Sequence, residues 1–147
     1  MDINRVDQFK SVTFLIVDDD KIAIKSILRA IASLKIANPI TVAGDGVEAL
    51  EQLRAALDPD GNLPPYIVLL DLNMPRMTGH EFLDEIRQDP HLRRLVVFVI
   101  TTSDAPKDIT AAYDRQVAGY IVKEEAAESL RKAIEMVGAY SNLVLLP

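Results

Sequence analysis

Short apolar runs rich in β-branched residues alternate five times with stretches whose apolar residues recur every three or four positions, and this alternation confines the chain to an α/β fold. The runs predict strands at Thr13 to Val17, Ile40 to Ala43, Tyr66 to Leu70, Val96 to Thr101 and Gly119 to Val122, the second weakened by Thr41. Between them, Ile24, Ile27, Leu28, Ile31 and Leu34, then Val47, Leu50, Leu53 and Leu57, each mark one apolar helix face. A third helix is expected from about Gly79 to Gln88, where Asp89-Pro90 stops it. A fourth begins near Pro106, a good first-turn residue, and a fifth covers about Glu125 to Tyr140. Strands and helices in this order build a parallel sheet sandwiched by helices.

The 147 residues suit one domain with a single sizeable core. The segment Asp58 to Pro65 holds Pro59, Gly61, Pro64 and Pro65, but leaves too little chain on either side for two domains and reads as a surface loop. The expected unit is therefore one domain over 1–147, with its core at about 12–140 and an apolar tail at 141–147. A net charge of −6 disfavours nucleic acid, whose phosphates need clustered Lys and Arg. The start, MDINRVDQFK, lacks the apolar core of a signal peptide, and Leu95 to Ile100 is far too short to span a bilayer, so a cytoplasmic protein that leaves membranes alone is expected. With no cysteine there are neither disulfides nor thiolate metal sites.

In open α/β sheets the ligand crevice lies beyond the carboxyl ends of the strands. There the first strand is followed by Asp18, Asp19 and Asp20, and the third by Asp71. Carboxylates about 4 Å apart repel by roughly 4 kcal/mol at an effective dielectric of 20, a cost that a divalent cation relieves. Oxygen donors without His or Cys suit a hard ion, Mg²⁺. The fourth strand ends in Thr101, followed by Thr102 and Ser103, and the fifth is followed by Lys123, so hydroxyls and an ammonium face the same crevice. Metal, ammonium and hydroxyl donors stabilise a transferring phosphoryl group, and a carboxylate can accept it covalently.

Four segments in order, LIVDDD, IVLLDLNMPRMTG, VFVITTS and GYIVK, resemble those of the CheY-like response regulator receiver domains, and the likeness runs from about Val12 to Tyr140. The resemblance implies a flavodoxin-like doubly wound sheet of strand order 2-1-3-4-5. It implies that Asp18 and Asp19 form the acidic pair, that Asp71 is the phosphoacceptor, and that the Asn73 backbone carbonyl completes the protein's share of the Mg²⁺ ligands. Thr101 matches the switch threonine, Tyr120 the aromatic that changes rotamer with it, and Lys123 the lysine that pairs with the phosphoryl. The family lysine is usually followed by a cis proline; here Glu124 follows Lys123, and a non-proline cis bond costs about 2.5–4 kcal/mol, which favours a trans, differently shaped loop. A narrower likeness, carried by the Thr-Thr-Ser triplet and the lack of an output domain, is to small receivers that partner bacterial phytochromes.

The implied protein is a single-domain response regulator of a two-component phosphorelay, a phosphoacceptor with intrinsic autophosphorylation and autodephosphorylation chemistry rather than an enzyme. Its partner would be a sensor histidine kinase, a bacteriophytochrome among the candidates, or a phosphotransfer protein. Only residues 124–147 follow Lys123, so output is expected by protein contact. The apolar run Leu143, Val144, Leu145 and Leu146 either folds onto the domain or covers a partner surface, and the favoured reading is a homodimer formed through the fourth helix, fifth strand, fifth helix and tail. Asp20 reads as the N-cap of the first helix, and His80 and His91 as surface residues without a role. The rival of another class is a haloacid dehalogenase-type small phosphatase, because Asp18-Asp19-Asp20-Lys21-Ile22 loosely imitates its nucleophile motif. A flavin carrier would place a hydroxyl- and glycine-rich loop where this chain has three acids.

Overall fold

The structure, a computed structural model, describes residues 12–33, 38–123, 132, 135 and 136. Five strands form where the apolar runs lie: β1 (Thr13–Val17), β2 (Ile40–Ala43), β3 (Tyr66–Leu70), β4 (Val96–Thr101) and β5 (Gly119–Val122). They pair in parallel in the order β2-β1-β3-β4-β5, the expected flavodoxin-like topology. The helices between them are α1 (Lys21–Ser33), α2 (Gly46–Ala55), α3 (Gly79–Gln88) and α4 (Pro106–Asp114). The expected fifth helix falls largely, and the apolar tail wholly, outside the described residues, as does Leu34.

Three of the four described helices start at a residue whose side chain accepts from a free first-turn N–H. Asp20 caps α1, its Oδ1 accepting from the Ile22 N–H at 2.9 Å. Asp45 caps α2 through the Glu48 N–H, and Thr78 and Glu81 form a reciprocal capping box on α3. Only Pro106 marks the start of α4, whose N-cap Ala105 has no capping side chain.

Alternation along the strands divides the core into two layers. Leu15, Val17, Val68, Leu70, Val97 and Val99 face α2, α3 and Ala112 of α4, whereas Phe14, Ile16, Ile67, Leu69, Phe98 and Ile100 face Ile27, Ala30 and Ile31 of α1. Because β1, β3 and β4 are covered on both faces, they read as continuous apolar runs rather than alternating ones. Each fully buried Leu, Ile or Phe contributes roughly 1.5–3 kcal/mol, which makes the three central strands the rigid frame of the site.

Candidate functional site: a carboxylate crevice

Strand register builds the site. Val17 pairs with Ala43 on one side and Leu70 on the other, so the next residues of β1 and β3, Asp18 and Asp71, leave the sheet side by side. The Asp18 N–H donates to the Ala43 carbonyl and the Asp71 N–H to the Val17 carbonyl, holding both acids in strand geometry past the last paired residue. Thr101 pairs with Val122, and the Lys123 N–H donates to the Thr101 carbonyl, which brings hydroxyl and ammonium to the same rim.

Asp18, Asp71 and Thr101 are buried, while Asp19 is exposed at the mouth. Carboxylate oxygens of Asp18, Asp19 and Asp71 lie within 4.8 Å of one another, a spacing one small cation can span. Lys123 Nζ lies 2.5 Å from Asp18 Oδ2 and 3.6 Å from Asp71 Oδ1. The second Asp18 oxygen accepts from the Asp20 N–H, and Asp71 Oδ1 from the Leu72 N–H, both at 2.9 Å. Burial pushes the Asp71 carboxyl above its ordinary range; the Lys123 ammonium opposes this, the Asp18 charge adds to it, and the Thr101 hydroxyl and Leu72 N–H oppose it further. An all-oxygen set with excess negative charge and one ammonium fits a hard divalent cation.

The loop after β3 is drawn tightly beneath Asp71. The Gly79 N–H donates to the Leu72 carbonyl at 2.8 Å, and a Cβ on Gly79 would stand 2.5 Å from the Asp71 carbonyl oxygen. Only glycine lets α3 begin so close to this strand end. Asn73 lies two residues past Asp71 and is exposed at the same end of the sheet. A cavity of about 270 Å³ lies at the opposite end, beside Tyr66, Val96, His91 and Arg94, away from the carboxylates.

Residues 14–135 match the family described as the response regulator receiver domain. The chain belongs to that family. It is 30% identical over 126 residues to the response regulator Rcp1 of Synechocystis sp., the match covering 86% of each chain. Among solved structures it resembles the Mn²⁺-bound form of Rcp1, with a TM-score of 0.78 at 30% identity over 92% of this chain and 98% of the other. It also resembles the phosphorylated cyanobacterial phytochrome response regulator RcpA, with a TM-score of 0.80 at 32% identity over 93% and 99% of the two chains. The receiver is thus a two-component signalling module, and the small-phosphatase alternative finds no support in the family or the relatives.

In this receiver the structure brings together Asp18, Asp19, Asp71, Thr101 and Lys123. Tyr120 is half-buried, and its hydroxyl donates to the Ser103 carbonyl at 2.8 Å. Among the described residues no peptide bond is cis; the Lys123–Glu124 bond reaches into the undescribed segment.

Neither histidine stands alone. His91 Nδ1 lies 3.0 Å from the Gly61 carbonyl, and His80 Nε2 lies 3.2 Å from Asp108 Oδ1. The sequence shows that His80 follows Gly79 and that Asp108 lies two residues after Pro106, which puts both at helix starts near the crevice. Their pairing across 28 positions leaves no local signal.

Proposed function

We propose that this receiver is switched by Mg²⁺-dependent phosphorylation of Asp71 by a partner histidine kinase or phosphotransfer protein, and that it passes the signal on by protein contact. The observation that carries the reading is the buried Asp71 carboxylate with the Asp18 and Asp19 carboxylates and the Lys123 ammonium gathered around it. Asp18, Asp19 and Asp71, with the Asn73 backbone carbonyl, would hold Mg²⁺, which neutralises the negative charge gathering on a transferring phosphoryl group.

An Asp71 oxygen attacks the phosphorus of phosphohistidine in line; the new P–O bond forms as the P–N bond breaks, and the imidazole leaves with the electron pair. Lys123 then donates to the phosphoryl oxygens, and the Thr101 hydroxyl moves toward them. As Thr101 moves, Tyr120 follows and reshapes the face made by α4 and β5. That face, with the fifth helix and tail expected from the sequence, is where a second copy would dock.

The structures of phytochrome response regulators among its likenesses support a kinase of the phytochrome class as the partner. We take 1–147 as one receiver domain acting in the cytoplasm; among the described residues no helix is long and apolar enough to cross a membrane.

The test is intact-mass spectrometry after incubation with acetyl phosphate and Mg²⁺, comparing wild type with Asp71→Asn. One phosphoryl adduct that requires Mg²⁺ and disappears in the variant is the expected result. An adduct that survives Asp71→Asn would move the acceptor to another aspartate, and no adduct with acetyl phosphate or a phosphohistidine donor would leave a phosphorylation-independent interaction module.

A further inference from the structure

The start of α4 is capped by a relay. Its N-cap, Ala105, has no side-chain oxygen to accept from the first-turn N–H groups, and its own N–H donates to Ser103 Oγ at 3.3 Å. Ser103 Oγ in turn donates to Asp108 Oδ2 at 2.6 Å. Asp108 is the third residue of the helix, the position from which a capping-box acid reaches back to the N-cap N–H. Here the acid reaches that N–H through a serine. The other Asp108 oxygen faces His80 Nε2 on the second residue of α3, which ties the starts of two helices together.

Ser103 has two further contacts. Its N–H points at Thr101 Oγ1 at 3.5 Å, a long contact, and its carbonyl accepts from the Tyr120 hydroxyl at 2.8 Å. One residue thus touches both the threonine and the aromatic side chain of the proposed switch. Across the crevice, His80 follows Gly79, whose N–H is bonded to the Leu72 carbonyl next to Asp71. The contacts form a ring that runs from Asp71 through Leu72, Gly79, His80, Asp108 and Ser103 to Thr101, joining the two loops that flank the acceptor carboxylate.

We propose that Asp108, held by His80, is a positioning residue that fixes Ser103 and, through it, sets the Thr101 hydroxyl and the Tyr120 ring for phosphoryl transfer at Asp71. The part that concerns rates rests on the reading of Asp71 as phosphoacceptor; the part that concerns Tyr120 does not. With one Thr101 lone pair facing the Ser103 N–H, its hydrogen is directed toward the acceptor. Without Asp108 the Ser103 hydroxyl loses its acceptor and the loop gains freedom, so the Thr101 hydroxyl reaches the phosphoryl in fewer encounters.

The experiment compares wild type with Asp108→Ala, Ser103→Ala, their double variant, and Ser103→Thr, which retains the hydroxyl. Phosphoryl uptake from acetyl phosphate with Mg²⁺ is followed by intact mass, and the Tyr120 ring by NMR of tyrosine-labelled protein without any donor, assigned with Tyr120→Phe. We expect uptake to slow about threefold to tenfold in each single Ala variant, no further slowing in the double variant, and a near wild-type rate for Ser103→Thr. The Tyr120 signal shifts in the same sense in both Ala variants. Asp108→Asn, which keeps the shape and one acceptor oxygen, serves where Asp108→Ala fails to fold; it is expected to shift Tyr120 and slow uptake less. Unchanged uptake with an unmoved Tyr120 signal, or losses that simply add in the double variant, would overturn the proposal. If wild type takes up no phosphoryl group, the phosphoacceptor reading fails and the Tyr120 signal alone decides the positioning role.

Discussion

Lys123 Nζ sits 2.5 Å from the buried Asp18 Oδ2, closer than to Asp71, so the ammonium is shared within the acidic cluster and leans toward the partner that does not accept the phosphoryl in our reading. Bound there, it offsets charge that Mg²⁺ would otherwise offset, and the two cations compete electrostatically. Lys123→Ala should therefore bind Mg²⁺ more tightly, by about tenfold, because a unit charge a few ångströms away is removed from a partly buried site. The same variant should lose phosphoryl uptake, since the acceptor loses its fixed donor. Calorimetric Mg²⁺ titration beside the acetyl phosphate assay separates the two effects. Weaker Mg²⁺ binding in the variant would show that the ammonium organises the carboxylates rather than competing for them.

Gly79 marks where the site depends on backbone rather than side chains. A methyl group there would meet the Asp71 carbonyl oxygen at 2.5 Å and Leu72 Cα at 2.7 Å, both backbone atoms that cannot swing aside. Gly79→Ala should cost about 1–3 kcal/mol of stability by overpacking and also slow phosphorylation, because relief of the clash pushes the Asp71 loop away from Lys123. Urea unfolding and the uptake assay on one preparation check both. Lost stability with an unchanged rate would mean that α3 moves and the Asp71 loop stays.

The strands were legible because a parallel sheet covered on both faces writes continuous apolar runs into the sequence, and even β2, weakened by Thr41, ended at Ala43 as expected; their order came from the resemblance to receiver domains, not from the runs. The convergence of Asp18 with Asp71 was legible for the same reason: ligand-facing residues follow strand ends, and the register aligns those ends. Asp20 proved to be a cap, as its place before an apolar helix implied. What stayed hidden was the relay through His80, Asp108 and Ser103, since a contact across 28 positions depends on how two helices start in space, not on any periodicity.

Arg87 lies near the carboxyl end of α3, and its guanidinium donates to the carbonyls of Arg93, Leu95, Arg115 and Gln116 at 2.8 to 3.0 Å. Burial lowers its pKa from the usual guanidinium value, but it remains charged at any physiological pH. These carbonyls close two turns, one after α3 and one after α4, and without the guanidinium they lose their charged donor together. Arg87→Ala should cost about 2–4 kcal/mol, and Arg87→Lys, which cannot reproduce the fork, most of that. Urea midpoints give the values; a loss below about 0.5 kcal/mol would mean that water replaces the guanidinium without cost.

Acid should loosen the protein through Asp45. The Arg76 side chain donates to it from Nε at 2.7 Å and from a terminal nitrogen at 3.1 Å, and the Glu48 N–H donates at 2.9 Å, so its carboxyl is held below the ordinary value of 3.8. A carboxyl whose folded pKa is depressed binds its proton more weakly in the folded chain than in the unfolded one. Its contribution is therefore fully present above the unfolded value and disappears as pH falls through the folded one. The urea midpoints of wild type and Asp45→Asn should differ at pH 7, with wild type the more stable, and draw together as pH falls below the ordinary carboxylate value of 3.8. Asn is itself a good cap, so the difference isolates the charge rather than the cap. Because Arg76 is mostly exposed, high salt should narrow the gap at pH 7 as well, and a gap indifferent to both pH and salt would assign the stabilisation to the cap geometry alone.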